Sequence, residues 1–375
     1  MTKAIKAQNK KPSKNTISAI EARYNVQGLL HMMQYKRPAR SDTEEQFIET
    51  YLSDTELFYE DDFGNVHCVI PLDKPSEKAQ GMILWVSHTD TVHRTEGKQT
   101  LEIIEGINGK DGTTVMASYS EVKSGKSNCL GADCTTGIWI MLEMIKACVP
   151  GHYIFHRDEE VGGKGSAWLA ANYADYFREN FAACIAFDRY GLDSVITEQC
   201  VGVTASNAFA DSFASVMGVL SKGSIQYARD PYGTFTDSAN YADLIPECTN
   251  ISIGYHKQHT GNESQDLHFV AKLRDALCGI AQDYDAFFNS LVIDRAPGDN
   301  GDLPEIDDRY FYKASNKSKG YKKVSEYDYY GDDTYNDLIE TIIENPETVA
   351  DILRDQGFDA YDILSKVYNN DYERG

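Results

Sequence analysis

Gly81-Met82-Ile83-Leu84-Trp85-Val86-Ser87-His88-Thr89-Asp90-Thr91 is an apolar run that stops abruptly on a histidine and an aspartate. It is of strand length and shows no polar alternation, so it reads as a strand covered on both faces. Three further runs have the same character: His152–Arg157, Ala183–Asp188 and Thr249–Gly254. Amphipathic segments at about 134–147, 163–178 and 206–219 lie between them. Leu273, Leu277, Ile280, Tyr284 and Phe287 then stripe a long helix after residue 264. Buried strands alternating with helices predict a three-layer α/β/α domain around a mixed, mostly parallel central sheet. In such a sheet ligands sit at the strand ends.

Upstream, residues 17–58 read as helical. Ser41 and Glu44 form an S-x-x-E capping box that opens a helix through about Tyr51. Gly64-Asn65 supplies a turn into a β-type run. The first 16 residues, MTKAIKAQNKKPSKNT, read as a flexible basic tail, without the apolar centre of a secretory signal. The catalytic domain is expected over 17–292. A linker rich in Pro, Gly and Asp follows over 293–333, and an acidic helical appendage over 334–375. Between 299 and 375 lie 19 acidic and 9 basic residues and 10 of the 24 tyrosines. Two readings stay open for the appendage: a packed or solubilising cap, or a surface for a protein partner.

The chain has 375 residues, 42% of them hydrophobic, and a net charge of −22. No stretch approaches the ~20 apolar residues of a membrane span, and the charge opposes binding to nucleic acid. The eight cysteines form no C-x-x-C pair and several lie in apolar runs, which suits reduced, mostly buried thiols in the cytoplasm. The oligomeric state is left open.

The chemistry is concentrated after the strands. SHTDTVH (87–93) follows the first run, and its H-x-D places an imidazole with a carboxylate two residues on. LGADCTTG (130–137) opens a helix at Asp133. Asp158-Glu159-Glu160-Val161-Gly162-Gly163 follows the second run, Asp188 ends the third, and HKQHTGNE (256–263) follows the fourth. Each alone has an ordinary structural reading. Together, Asp133, Glu159, Glu160 and Asp188 could not share one crevice as bare anions, because like charges at a few ångströms drive carboxyl pKa values up. A cation must compensate, and histidine with carboxylate ligands suits zinc better than magnesium or calcium. Of two adjacent glutamates, one can ligate metal while its neighbour contacts a water, which separates Lewis acid from base.

At these residues the chain resembles the di-zinc exopeptidase superfamily, which includes aminopeptidases, peptidase T-like tripeptidases, carboxypeptidases and acyl-amino-acid deacylases. SHTDTV, NCLGADCTTG, RDEEVGG, FD and QHTGNE stand in that family's order, and the resemblance covers about residues 20–290. It implies two divalent metal ions bridged by Asp133. His88 and Asp188 would hold one, Glu160 and His259 the other. Glu159 would be the general base and Asp90 the partner that steadies His88. The resemblance also implies a cis peptide between Asp133 and Cys134.

Two departures matter. Cys134 stands where the family often has an acidic residue or Asn, and it reads as a packed thiol. Only 70 residues separate Asp188 from His259, too few for the lid domain of many carboxypeptidase and deacylase relatives, and no histidine lies between Asp188 and His256. The layout therefore resembles the lidless aminopeptidase branch. A hydrolase of short peptides with a free α-amine is expected, with Asp237 or a metal-bound carboxylate near that amine and little dependence on the substrate's C-terminus. The alternatives are a carboxypeptidase or N-acyl-amino-acid deacylase, and an inactive metal-binding scaffold. Tyr232, Thr236 and Tyr255 are candidates to steady an oxyanion, and His93 and His256 compete as ligands.

Overall fold

Strand residues alternate between two hydrophobic cores. Ile83, Trp85, Tyr153, Phe155, Ala183, Ile185 and Phe187 feed one, while Leu84, Val86, Ile154, Cys184 and Ala186 feed the other. Successive side chains leave a strand on opposite faces, so a sheet with two apolar faces must be covered twice. The computed structural model describes residues 25–72, 82–108 and 117–299. Its main sheet has eight strands in the order Ala228–Asp230, Ser194–Ile196, Glu247–Ser252, Phe181–Arg189, Met82–His88, Gly151–His156, Val66–Ile70 and Phe58–Glu60. The four central strands are parallel to one another, and antiparallel pairings flank them. The first core also takes side chains from the helices Ala132–Lys146, Asn207–Leu220 and Leu267–Gly279. The second takes Leu169 and Phe177 from Lys164–Asn172 and Ala174–Asn180, with Tyr241 and Leu244. This is the mixed, mostly parallel three-layer α/β/α arrangement.

Ala132–Lys146 is buried on nearly every side. A Cβ at Gly137 would lie 2.4 Å from the Phe187 carbonyl oxygen, so glycine there lets the helix settle directly on the central strand. That contact brings the helix's first turn, with Asp133, beside the end of the strand that carries Asp188.

The N-terminal region differs from a continuous helical reading. Helix Gln27–Met32 gives way to the two-residue strand Tyr35–Lys36, which pairs with Gly97–Lys98, before helix Asp42–Tyr51 begins. Pro38 disfavours helical backbone at the residue before it. Ser41 caps the second helix by accepting the Glu44 N–H.

Part of the segment read as a linker is anchored. Arg295, 7% exposed, donates to the carbonyl oxygens of Ala242, Ile245, Pro246 and Asp299. Its backbone N–H and that of Asp294 both reach Glu247 Oε1. The basic tail, the rest of the linker and the appendage lie outside the described residues. All eight cysteines are free, with Cys148 and Cys200 exposed. Among the described residues, no helix is long and apolar enough to cross a membrane.

Candidate metal centre

His88 ends its strand in register with His156 of the neighbouring parallel strand. The loop after each strand therefore opens at the same edge of the sheet, and Asp188 is the last residue but one of the third strand of the set. His88 is 1% exposed. Its Nδ1 lies 3.0 Å from the Asp90 carbonyl oxygen and 3.5 Å from Asp90 Oδ1. A carbonyl only accepts, so Nδ1 carries the proton and Nε2 is turned toward the carboxylates. Nε2 is 4.0 Å from Glu159 Oε2 and 3.9 Å from Asp188 Oδ1.

Asp90 does a second job. Its Oδ1 accepts the Glu159 N–H and its Oδ2 the Glu160 N–H, both at 3.1 Å. The loop begins at Asp158, which takes a left-handed backbone (φ 63°) and pairs with Arg40 at 2.9 Å.

Asp133 Oδ2 meets His259 Nε2 at 2.9 Å, and Glu160 Oε1 lies 3.3 Å from the same nitrogen. Asp133 Oδ1 accepts the Cys134 N–H at 2.7 Å. The Asp133–Cys134 peptide is trans, as are all those of the described residues, which corrects the cis expectation. Asp133 already sits inside the helix, and a trans peptide continues it. Glu263, quoted only as the end of HTGNE, joins the two loops. Its carboxylate accepts the N–H groups of Leu130, Gly131 and Ala132 at 2.8, 3.2 and 2.8 Å.

His88, Asp133, Glu159, Glu160, Asp188 and His259 all line one cleft of about 300 Å³. Burial, then the charge of Asp133, pushes Glu160 up to about 7, with His259 and His88 opposing. Glu159 is raised well above an ordinary carboxyl by burial and by Asp188, Asp237 and Glu160, with His88 opposing. His259 resists the lowering effect of burial because Asp133 and Glu160 hold it, and it reaches about 12. These are the marks of an acid cluster short of positive charge.

The donors fit cations. Asp133, Glu160 and His259 converge closely enough to share one ion, as do His88, Glu159 and Glu160. Glu160 Oε1 is buried and makes no aligned hydrogen bond, with the His259 ring 3.3 Å away. Cys134 Sγ also lies near His88 and Asp133. It is engaged by Arg37 Nη2 at 3.0 Å and donates to the Asp90 carbonyl at 3.1 Å, and burial raises the thiol to about 11. Those contacts suit a packed thiol.

Asp237 lies away from the cleft, contrary to the expected contact with a substrate amine. It is 1% exposed, 3.2 Å from His156 Nδ1 and bonded by Ser166 Oγ at 2.6 Å. His93 is turned to Thr91 and Gln99. Tyr232 is 81% exposed and Thr236 is buried. Tyr255 does line the cleft, and its hydroxyl donates to the Asp188 carbonyl at 2.8 Å. Arg189, Tyr190, Phe235, Asn250 and Gln258 line it as well. Sequence reasoning passed over them; only Arg189, a charge at the end of an apolar strand, carried a signal.

No protein-family model matches the sequence, and no curated protein does. In fold the chain is similar to the aminopeptidase PepT of Bacillus cereus, with a TM-score of 0.51 and 15% identity, over 69% of this chain and 98% of that one. A tripeptidase of Staphylococcus aureus gives a TM-score of 0.48 at 13% identity, over 70% and 98%. The Pyrococcus horikoshii TET1 peptidase gives 0.46 at 15%, over 68% and 98%. The PepT likeness shows that the two chains share a fold.

Proposed function

We propose that this chain is a metallo-aminopeptidase that removes N-terminal residues from short peptides with two divalent ions, best matched by zinc. The observation that carries this reading is the convergence of His88, Asp133, Glu160, Asp188 and His259 with Glu159 in one cleft at the ends of parallel strands. The fold shared with PepT, named an aminopeptidase, supports it.

His88 and Asp188 would hold one ion and Glu160 and His259 the other, with Asp133 between them. When bound, the ions polarise the scissile carbonyl and make water acidic enough to lose a proton near neutral pH. Glu159 takes that proton and returns it to the leaving amine. Its position is set by Asp90, which fixes the peptide N–H groups of both glutamates. Cations in the site would lower the Glu159 carboxyl from its raised state toward that of a base. Since Asp237 is buried elsewhere, the substrate's α-amine must find its partner among the cleft's own carboxylates. No lid is needed for this chemistry, and the span between Asp188 and His259 is taken up by sheet strands and the Asn207–Leu220 helix.

The deciding experiment compares one tripeptide in free and N-acetylated forms, with and without a chelator. The free form should be cleaved, the acetylated form about 10²-fold more slowly because a buried carboxylate loses its partner, and chelation should stop both. A faster N-acetyl form would replace this reading with a deacylase or carboxypeptidase.

A further inference from the structure

Among the described residues lining the cleft, Arg189 is the one lysine or arginine; the other charged side chains are carboxylates and histidines. It ends the strand that carries Asp188 and is 5% exposed. Both hydrogen bonds of its guanidinium leave from Nη2, to Asp230 Oδ2 at 3.1 Å and to the Tyr232 carbonyl oxygen at 2.8 Å. The Tyr190 ring lies beneath it, 4.1 Å from Cζ. Nε is buried with no hydrogen-bond partner. Asp230 does not cancel the charge outright, since it touches Nη2 alone and also accepts from Ser194 Oγ at 2.8 Å.

A guanidinium offers five N–H donors in a rigid plane, and its charge strengthens each bond it makes to a carboxylate. Here Nη2 is committed to Asp230 and Tyr232 and Nε is buried, so Nη1, which makes no hydrogen bond, is the donor left for a carboxylate in the cleft. We propose that Arg189 is an anion-binding group of the substrate subsite, which selects peptides that carry a carboxylate. The carboxylate could come from an acidic side chain or from the peptide's C-terminus; the chemistry at Arg189 is the same. The inference rests on the peptidase reading, and it amends the sequence-based expectation that the C-terminus is of little account.

Three tripeptides separate the sources: Ala-Ala-Ala amide without a carboxylate, Glu-Ala-Ala amide with a side-chain carboxylate, and Ala-Ala-Ala as the free acid. In the metal-loaded wild type, kcat/KM for one of the two acids should exceed that of the neutral amide at least tenfold. Arg189→Met should bring that ratio near one, and Arg189→Lys, which keeps charge but not the planar guanidinium, should leave an intermediate ratio. If Arg189→Met fails to fold, the lysine variant still decides by its loss of ratio. Calorimetry of the same peptides on metal-loaded Glu159→Gln protein, with and without Arg189→Met, reads binding independently of turnover. Should wild type cleave none of them, the peptidase reading falls, while the Kd ratio still tests Arg189. Equal rates and affinities for all three, or a ratio that survives Arg189→Met, would overturn the proposal and leave Arg189 as a strut for Asp230 and Tyr232.

Discussion

Asp90 Oδ1 accepts the Glu159 peptide N–H at 3.1 Å, so the residue that orients His88 also holds the loop bearing the two glutamates. Asp90→Ala would keep the backbone carbonyl that holds His88 Nδ1 but remove the carboxylate 3.5 Å from that nitrogen and untie the loop. Metal affinity should fall 10–100-fold, and turnover with it. Asp90→Asn keeps one acceptor and should fall between. Metal titration of the three proteins checks the order; an unchanged affinity in Asp90→Ala would remove Asp90 from the site.

Glu159 and Glu160 are neighbours with different partners, His88 for one and His259 for the other. Glu159→Gln removes a base and should cost about 10²–10⁴ in kcat while two ions per chain remain. Glu160→Gln removes a ligand and should leave a site short of metal. Elemental analysis after dialysis against zinc, read beside activity, distinguishes them. Matching profiles in the two variants would defeat the division of roles, and a wild type with fewer than two ions would defeat the two-metal assignment.

Away from the cleft, His152 Nε2 lies 3.0 Å from His67 Nδ1. Burial, then His67 and His156, holds His152 down at about 3, and burial also lowers His67. In the unfolded chain both titrate near 6.5. Above that pH both states are neutral and no stability is lost. As pH falls from about 6.5 toward 3, the unfolded chain gains protons that the folded one refuses, so stability declines through that window. Thermal melts from pH 7 to 4 should show the decline. His152→Gln should flatten it, by roughly 2 kcal/mol at pH 5; parallel melting curves would exclude this pair as the cause.

Arg295 binds carbonyl oxygens on both sides of its own position in the chain. Arg295→Ala takes the guanidinium's donors from the carbonyl oxygens of Ala242, Ile245 and Pro246, of which Ala242 keeps the Gly298 N–H, and should cost about 2 kcal/mol, seen as a drop of several degrees in Tm. A Tm within a degree of wild type would mean that the segment beyond Leu291 is not part of the folded body.

Much of this architecture could be read before any coordinates. The runs ending at His88, Arg157 and Asp188 are apolar and short, and the stripe from Leu273 to Phe287 has helical spacing, although the one long helix expected there is divided into Leu267–Gly279 and Tyr284–Ser290 by a 3-10 turn. Both patterns are local, because a strand or helix face announces itself in consecutive residues. The Ser41 cap was legible for the same reason. The break at Pro38 was also local and went unread, because the helical stretches on either side dominated the window.

A doubly covered sheet, with acidic and histidine clusters after its strands, is written in consecutive residues. Which side chains meet is settled by the folded chain. Glu263 finds its partners at 130–132, Asp237 turns to His156 and Ser166, and Arg295 closes on Ala242. Each contact spans tens of residues or more, where no periodicity connects the partners. Burial of a charged group is settled by what the rest of the chain places around it. That is why Asp237 and Arg189 exchanged places between expectation and structure: an acid expected at the substrate is sealed in the core, and an arginine not considered stands in the cleft wall.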